Sequence, residues 1–141
     1  MFSTHGYSVV SICKLIDFPR LGDERGALVV MDRSSGVPFD VVRTYYIFDT
    51  EKGVIRGRHA HKSLHQVAVC VSGSCHMMLD NGIIKETVFM SSATVAVDLP
   101  PMLWHEMHDF SDDCVLLVLA SDFYDESDYI RNYDEFLKEV L

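Results

Sequence analysis

The chain has 141 residues, 48% hydrophobic and 23% charged, a balance that excludes intrinsic disorder and suffices for one packed core. A formal net charge of −9 argues against nucleic acid and anionic membrane as partners, and no apolar run approaches the ~20 residues of a membrane span. The opening stretch MFSTHGYSVV lacks the basic segment and long apolar core of a secretory signal, so a cytoplasmic protein is expected.

Short β-rich runs punctuated by turn residues follow one another. Strands are expected over 27–31, 41–49, 57–61, 66–72, 74–79, 83–89, 93–97, 102–107 and 115–121. Between the fifth and sixth, Asp80-Asn81-Gly82 is the strongest turn signal, because Asn-Gly supplies the positive φ angles of a type I′ hairpin. The one helix expected runs over 125–140, where Tyr129, Tyr133, Phe136, Leu137 and Val140 form an imperfect apolar stripe; its role reads as packing. There is no linker and no repeat, so residues 1–141 read as one all-β domain, a sandwich or barrel, ending in a short helix.

Cys13, Cys70, Cys75 and Cys114 show no C-x-x-C spacing, and three lie in apolar runs, so buried reduced thiols are expected. Arg20, Arg25, Arg43, Arg56 and Arg58 all fall in the first half of an acidic chain. Guanidinium matches phosphate bidentately, so this gathering points to a phosphorylated small molecule.

The most informative segment is RGRHAHKSLHQVAVCVSG, from Arg56 to Gly73, followed later by PPMLWHEMHD. His59 and His61, at i and i+2 on a strand, share one face. Gly57, His59, His61, Gln66 and Gly73, then Pro100 and His105, follow the two-part signature of the cupin barrels. That resemblance implies a double-stranded β-helix (jelly-roll) fold with a polar pocket inside.

Cupin metal sites take two histidines and a carboxylate from the first part of that signature and a histidine from the second. Here Gln66 stands at the carboxylate position, and a neutral amide is a poor ligand for a divalent first-row metal. Glu106 neighbours His105 on a strand and should face the other way. The expectation is therefore a site without metal, in which His59 and His61 move protons. Abstraction of a C–H beside a ketone, through an enediolate held by nearby donors, needs only this. Tyr45, sharing a strand face with Arg43 and Ile47 and opposite Tyr46 and Phe48, is the candidate donor or relay. His65, His76 and His108 read as surface or structural, and Trp104 as a core residue or a pocket wall.

Together RTYYIFD, RGRHAHK, QVAVCVSGS, LDNG, WHEMHDFS and ASDFYDESDYIRNYDEF resemble the dTDP-4-keto-6-deoxyglucose 3,4-ketoisomerases, cupin-fold relatives of the dTDP-4-keto-rhamnose 3,5-epimerases, from about Gly22 to the C-terminus. The resemblance implies conversion of a dTDP-linked 4-keto-6-deoxyhexose to its 3-keto isomer with no cofactor and no metal, on the way to 3-amino-3,6-dideoxysugars of lipopolysaccharide O-antigens or other glycosylated products. It implies catalytic roles for His59, His61 and Tyr45, and substrate contacts from Arg25, Arg43, Arg56, Gln66 and His105. Arg56 matches the phosphate-binding arginine of an R-G-x-H element, and Arg25 the arginine of a D-x-R-G element. It further implies a homodimer with exchanged N-terminal strands. The late strand, CVLLVLASD, lacks the tyrosine that the epimerases use as acid, which places epimerisation behind ketoisomerisation. A metal-dependent cupin enzyme and a non-catalytic sugar-nucleotide-binding module are the remaining alternatives.

Overall fold

The computed structural model describes residues 11–141; the stretch weighed above as a signal segment lies outside the described residues. Among the described residues, twelve strands and one α-helix follow in order. β1 (Leu15–Asp17), β9 (Val95–Leu99), β6 (Gln66–Ser72), β11 (Val115–Ala120) and β4 (Arg43–Ile47) form one antiparallel sheet in that spatial order. β12 (Tyr129–Ile130), β5 (Arg56–His61), β10 (Trp104–His108), β7 (Cys75–Asp80) and β8 (Lys85–Met90) form the other. A separate hairpin pairs β2 (Leu21–Asp23) with β3 (Gly26–Leu28). Two facing antiparallel sheets with a short C-terminal helix, α1 (Tyr133–Val140), are the jelly-roll expected of a cupin-type chain.

The two sheets enclose a core that includes Ala68, Cys70, Met77, Leu79, Leu99, Met107, Leu116 and Val118. Each sheet is also covered outside. Phe18, Val37 and Phe39 pack on Val67, Val69, Ala96 and Leu119, while α1 buries Phe136 completely against Ala60, Trp104 and Ile130. Burying a phenylalanine side chain is worth about 1.5–3 kcal/mol, so this one residue goes far toward fixing a helix of 8 residues. Trp104 therefore belongs to the packing under the helix.

Two local expectations change. The helix starts at Tyr133, not near residue 125. Asn132 is its N-cap and accepts a hydrogen bond from the Glu135 N–H at 3.0 Å, an end signal that overrides the weak stripe before it. Residues before the cap form a 3-10 turn, Glu126–Asp128, and then β12, which pairs Tyr129 with His61. The β7–β8 hairpin is not type I′ either. Gly82 has φ +95° while Asn81 is not in the left-handed region; the Asn81 side chain instead accepts from the N–H groups of Ile83 and Ile84. A Cβ on Gly82 would meet Val140 at 2.6 Å, so glycine here also admits α1.

Candidate active site

β5 is not a regular strand. His59 pairs with His105 and Gly57 with Glu106, leaving Arg58 as the extra residue of a β-bulge. Gly57 and Arg58 both have positive φ, +83° and +58°. A Cβ at Gly57 would lie 2.8 Å from the His105 carbonyl oxygen, so only glycine allows the two strands to close here. The bulge turns His59 so that its Nδ1–H donates to the Gly57 carbonyl at 3.0 Å. His105 does the same toward the Leu103 carbonyl, at 3.1 Å. A carbonyl only accepts, so in both rings Nδ1 carries the proton and Nε2 keeps the lone pair.

The three imidazoles meet on the inner face of the second sheet. The His59 ring lies 4.8 Å from both His61 and His105, centroid to centroid. His61 and His105 are buried, and His59 is half-buried. Burial disfavours a charged ring, and at His59 and His61 neighbouring cationic groups add to the effect. His59 is pushed down to about 3, chiefly by burial and then by His105 and His61. His61 and His105 are each lowered to about 4, again chiefly by burial. All three are neutral bases at pH 7.

His59 and His105 line a cavity of about 590 Å³ between the sheets, with Arg43, Tyr45, Arg56 and Gln66 also on its wall. Arg43, Tyr45 and Ile47 do share the inward face of β4, while Tyr46 and Phe48 are exposed. The Tyr45 hydroxyl donates to Gln66 Oε1 at 2.6 Å, and burial pushes its pKa up to about 12. The Arg43 guanidinium lies 5.2 Å from the Tyr45 ring centre and 5.8 Å from that of Tyr124. Neither Arg43 nor Arg56 has an ion-pair partner among the described residues. His61 sits behind His59 and opens on a second cavity of about 230 Å³ beside Asp128, whose Oδ2 is 3.6 Å from His61 Nδ1.

Arg25 is not brought to the cavity of its own chain. It lies at the tip of the β2–β3 hairpin, exposed, with its guanidinium 2.6 Å from Asp23. Three polar residues of the cavity wall lie outside the site read from the sequence, namely Tyr124, Tyr129 and Arg131. The Tyr129 ring lies 4.3 Å from His61 and 4.9 Å from His59, and Arg131 covers it at 4.2 Å. Arg131 is itself held by both oxygens of Glu126. The signal is the Asn132 cap with Glu135 three residues on, which starts the helix late enough to leave Tyr129 for a strand.

Chemically, the wall offers neutral imidazoles, phenol donors and guanidinium groups in one pocket. The histidine trio also has the spacing of a metal site, since one ligand atom from each lies within 4.8 Å of the others. The fourth wall residue, Gln66, presents an amide whose oxygen is already engaged by Tyr45, and Glu106 faces away, accepting a hydrogen bond from Trp104 Nε1 at 2.8 Å.

The family described as FdtA: WxcM-like, C-terminal matches residues 11–141. A TDP-4-oxo-6-deoxy-alpha-D-glucose-3,4-oxoisomerase of Aneurinibacillus thermoaerophilus is 51% identical over 127 residues, 90% of this chain and 91% of that one. A histidine-to-asparagine mutant of the 3,4-ketoisomerase QdtA from Thermoanaerobacterium thermosaccharolyticum, solved with TDP-4-keto-6-deoxyglucose, superposes with a TM-score of 0.89 at 39% identity, covering 94% and 96% of the two chains. The TDP-fucose-3,4-ketoisomerase WlaRA of Campylobacter jejuni gives 0.89 at 30% identity over 93% and 97%. By sequence, length and fold, the chain belongs to the FdtA, WxcM-like C-terminal family.

Proposed function

We propose that the protein is a sugar-nucleotide 3,4-ketoisomerase that converts dTDP-4-keto-6-deoxyglucose to its 3-keto isomer. The observation that carries this reading is His59, neutral, with its Nδ1–H tied to Gly57 and its basic Nε2 free, on the wall of a cavity that also presents Arg43 and Arg56. Relatives named as 3,4-oxoisomerase and 3,4-ketoisomerase support the substrate class. His59 takes the proton from C3, and the pair of electrons released makes the C3–C4 enediolate. The proton of the C3 hydroxyl passes to the C4 oxygen, and His59 returns a proton to C4, leaving the ketone at C3. Atoms and charges balance without a redox partner.

His61, buried behind His59 and beside Asp128, completes the proton path, and Tyr45 donates to the developing oxyanion from the opposite sheet. Tyr129 is a second phenol within reach of the same histidines. Arg43, Arg56 and Arg131 bind the pyrophosphate, while Gln66 and His105 line the sugar end. Arg25 belongs to this scheme only through a second copy of the chain. A homodimer, which would bring that exposed hairpin to a partner, is part of the proposal, and light scattering tests it. A cytoplasmic location fits a nucleotide-sugar substrate; among the described residues no helix is long and apolar enough to cross a membrane.

The deciding experiment is proton NMR of the protein with dTDP-4-keto-6-deoxyglucose in D₂O after exhaustive chelation. A 3-keto product carrying deuterium or a transferred proton at C4 supports the proposal, and its coupling constants give the C4 configuration. Unchanged substrate that still binds would make the protein a binding module. The histidine spacing favours one second reading, a metal-dependent cupin. Activity that returns only with added metal would establish that reading and end the first.

A further inference from the structure

Cys70 and Cys75 are five residues apart and Cys114 lies 44 residues beyond Cys70, with no C-x-x-C spacing among them, yet the fold brings the three sulfurs together. Cys70 Sγ lies 3.6 Å from Cys75 Sγ and 3.8 Å from Cys114 Sγ. All three sulfurs fall within 4.8 Å of one another, and all three residues are buried. Each cysteine is two residues from a residue of the cavity wall on its own strand or strand end: Cys70 from Ala68, Cys75 from Met77, Cys114 from Leu116. By the two-residue period of a strand, the thiols form the next layer of the barrel interior, directly under the cavity floor.

We propose that this layer is a binding site for trivalent arsenic, taken up as arsenite. Three sulfurs bonded at about 2.3 Å, the length of a zinc–thiolate bond, to one pyramidal atom lie roughly 3.3–3.8 Å apart, close to the 3.6 and 3.8 Å already present, and the third separation, within 4.8 Å, closes by side-chain rotation. Charge selects the class of ligand. A divalent cation bound by three thiolates would leave a net negative charge in an apolar core, where it is costly. It would also have to displace protons from Cys70, raised by its contact with Cys75 and by burial, and from Cys114, pushed up to about 12 by burial and by Cys70. Arsenite avoids both costs. As(OH)₃ is uncharged, and each thiol proton leaves with one hydroxyl as water while one As–S bond forms. Three thiols and one As(OH)₃ become As(S-Cys)₃ and three waters, with no change in charge or oxidation state. The product joins β6, β7 and the start of β11.

The test is native mass spectrometry and thermal melting of the reduced protein with sodium arsenite. The expected result is one arsenic per chain, a mass gain of one arsenic atom less three hydrogens, and a melting temperature raised by several degrees. Cys13→Ser, which removes the half-buried fourth cysteine, keeps the adduct. Cys114→Ala and Cys75→Ala each bind arsenite at least ten-fold more weakly, and either one suffices if the other fails to fold. No arsenic on the folded wild type, a lowered melting temperature with arsenic bound, loss of the adduct in Cys13→Ser, or undiminished binding in the alanine variants would overturn the proposal.

Discussion

Keeping three imidazoles neutral inside the barrel has a measurable consequence for stability in mild acid. A histidine whose pKa is lowered on folding binds fewer protons folded than unfolded, so its contribution is complete above the ordinary value near 6.5 and is lost as pH falls toward the folded value. Here the folded values are about 3, 4 and 4 for His59, His61 and His105. The window is therefore pH 6.5 down to 4. Well inside it each histidine costs about 1.4 kcal/mol per pH unit. Integrated from pH 6.5 to 5, the loss is about 1.7 kcal/mol per residue and up to about 5 kcal/mol for the trio, a large part of the 5–15 kcal/mol typical of a domain. Carboxylates whose pKa is lowered by hydrogen bonds, such as Asp32 and Glu126, lose their contribution only at lower pH. Urea unfolding at pH 6.5, 5.8 and 5.0 measures the slope directly. In His105→Asn the loss across the window should shrink by about a third, and somewhat more if relief of repulsion lets His59 protonate more easily. Equal losses in wild type and variant would refute the claim that His105 is held neutral by the fold.

Other consequences are separable by assay. His59→Asn should lower kcat by about 10²–10⁴-fold while dTDP binding, measured by calorimetry, changes little; wild-type turnover would remove His59 from the chemistry. Arg131→Ala should raise KM about 10–100-fold, the loss of one charge-assisted contact of about 1.5–3 kcal/mol, with kcat nearly unchanged, and an unaltered KM would exclude it from the site. In kcat/KM against pH, the acid limb should fall below pH 5, because the free enzyme's cavity base is pushed down to about 3; a limb near 6.5 would mean another base. Tyr133→Phe deletes the hydroxyl that donates to Asp80 Oδ2 at 2.6 Å. With that buried carboxylate short of a donor, urea unfolding should show about 1.5–3 kcal/mol less stability, with turnover intact.

The sequence was most legible where one strand carries its own pattern. The strand expected over 66–72 coincides with β6 (Gln66–Ser72), because a run buried on both faces between turn residues admits few other readings. Alternation on β4 correctly sorted Arg43, Tyr45 and Ile47 from Tyr46 and Phe48. Elements defined by their partners were not legible. β1 is two exposed residues flanking a half-buried one, and it exists as a strand because β9 accepts it. β12 is two residues in an acidic stretch, and nothing local announces that Tyr129 will lie opposite His61, 68 positions earlier. The third thiol is the same case: Cys70 and Cys75 flank one turn, but Cys114 joins them only because β11 pairs with β6.

The same distinction explains the shape of the site. The first motif supplies His59 and His61 on one strand, and strand periodicity alone puts them on one face. A regular strand, however, would leave His59 in step with its neighbours. What offsets it from the residues before it is the Gly57–Arg58 bulge, and that bulge exists because Gly57 lets β5 close on the His105 carbonyl while Arg58 accepts a left-handed conformation. Such a conformation costs a non-glycine residue about 1–2 kcal/mol, and Arg58 gains little in return from Glu106 at 4.0 Å on the surface. The strain is thus borne at the residue immediately before the proposed base. A glycine at position 58 would relieve the strain, yet it would also free the chain to leave the bulge. The arginine, held between Gly57 and His59, keeps the backbone on the path that turns the His59 Nδ1–H toward its carbonyl partner and leaves Nε2 free on the cavity wall.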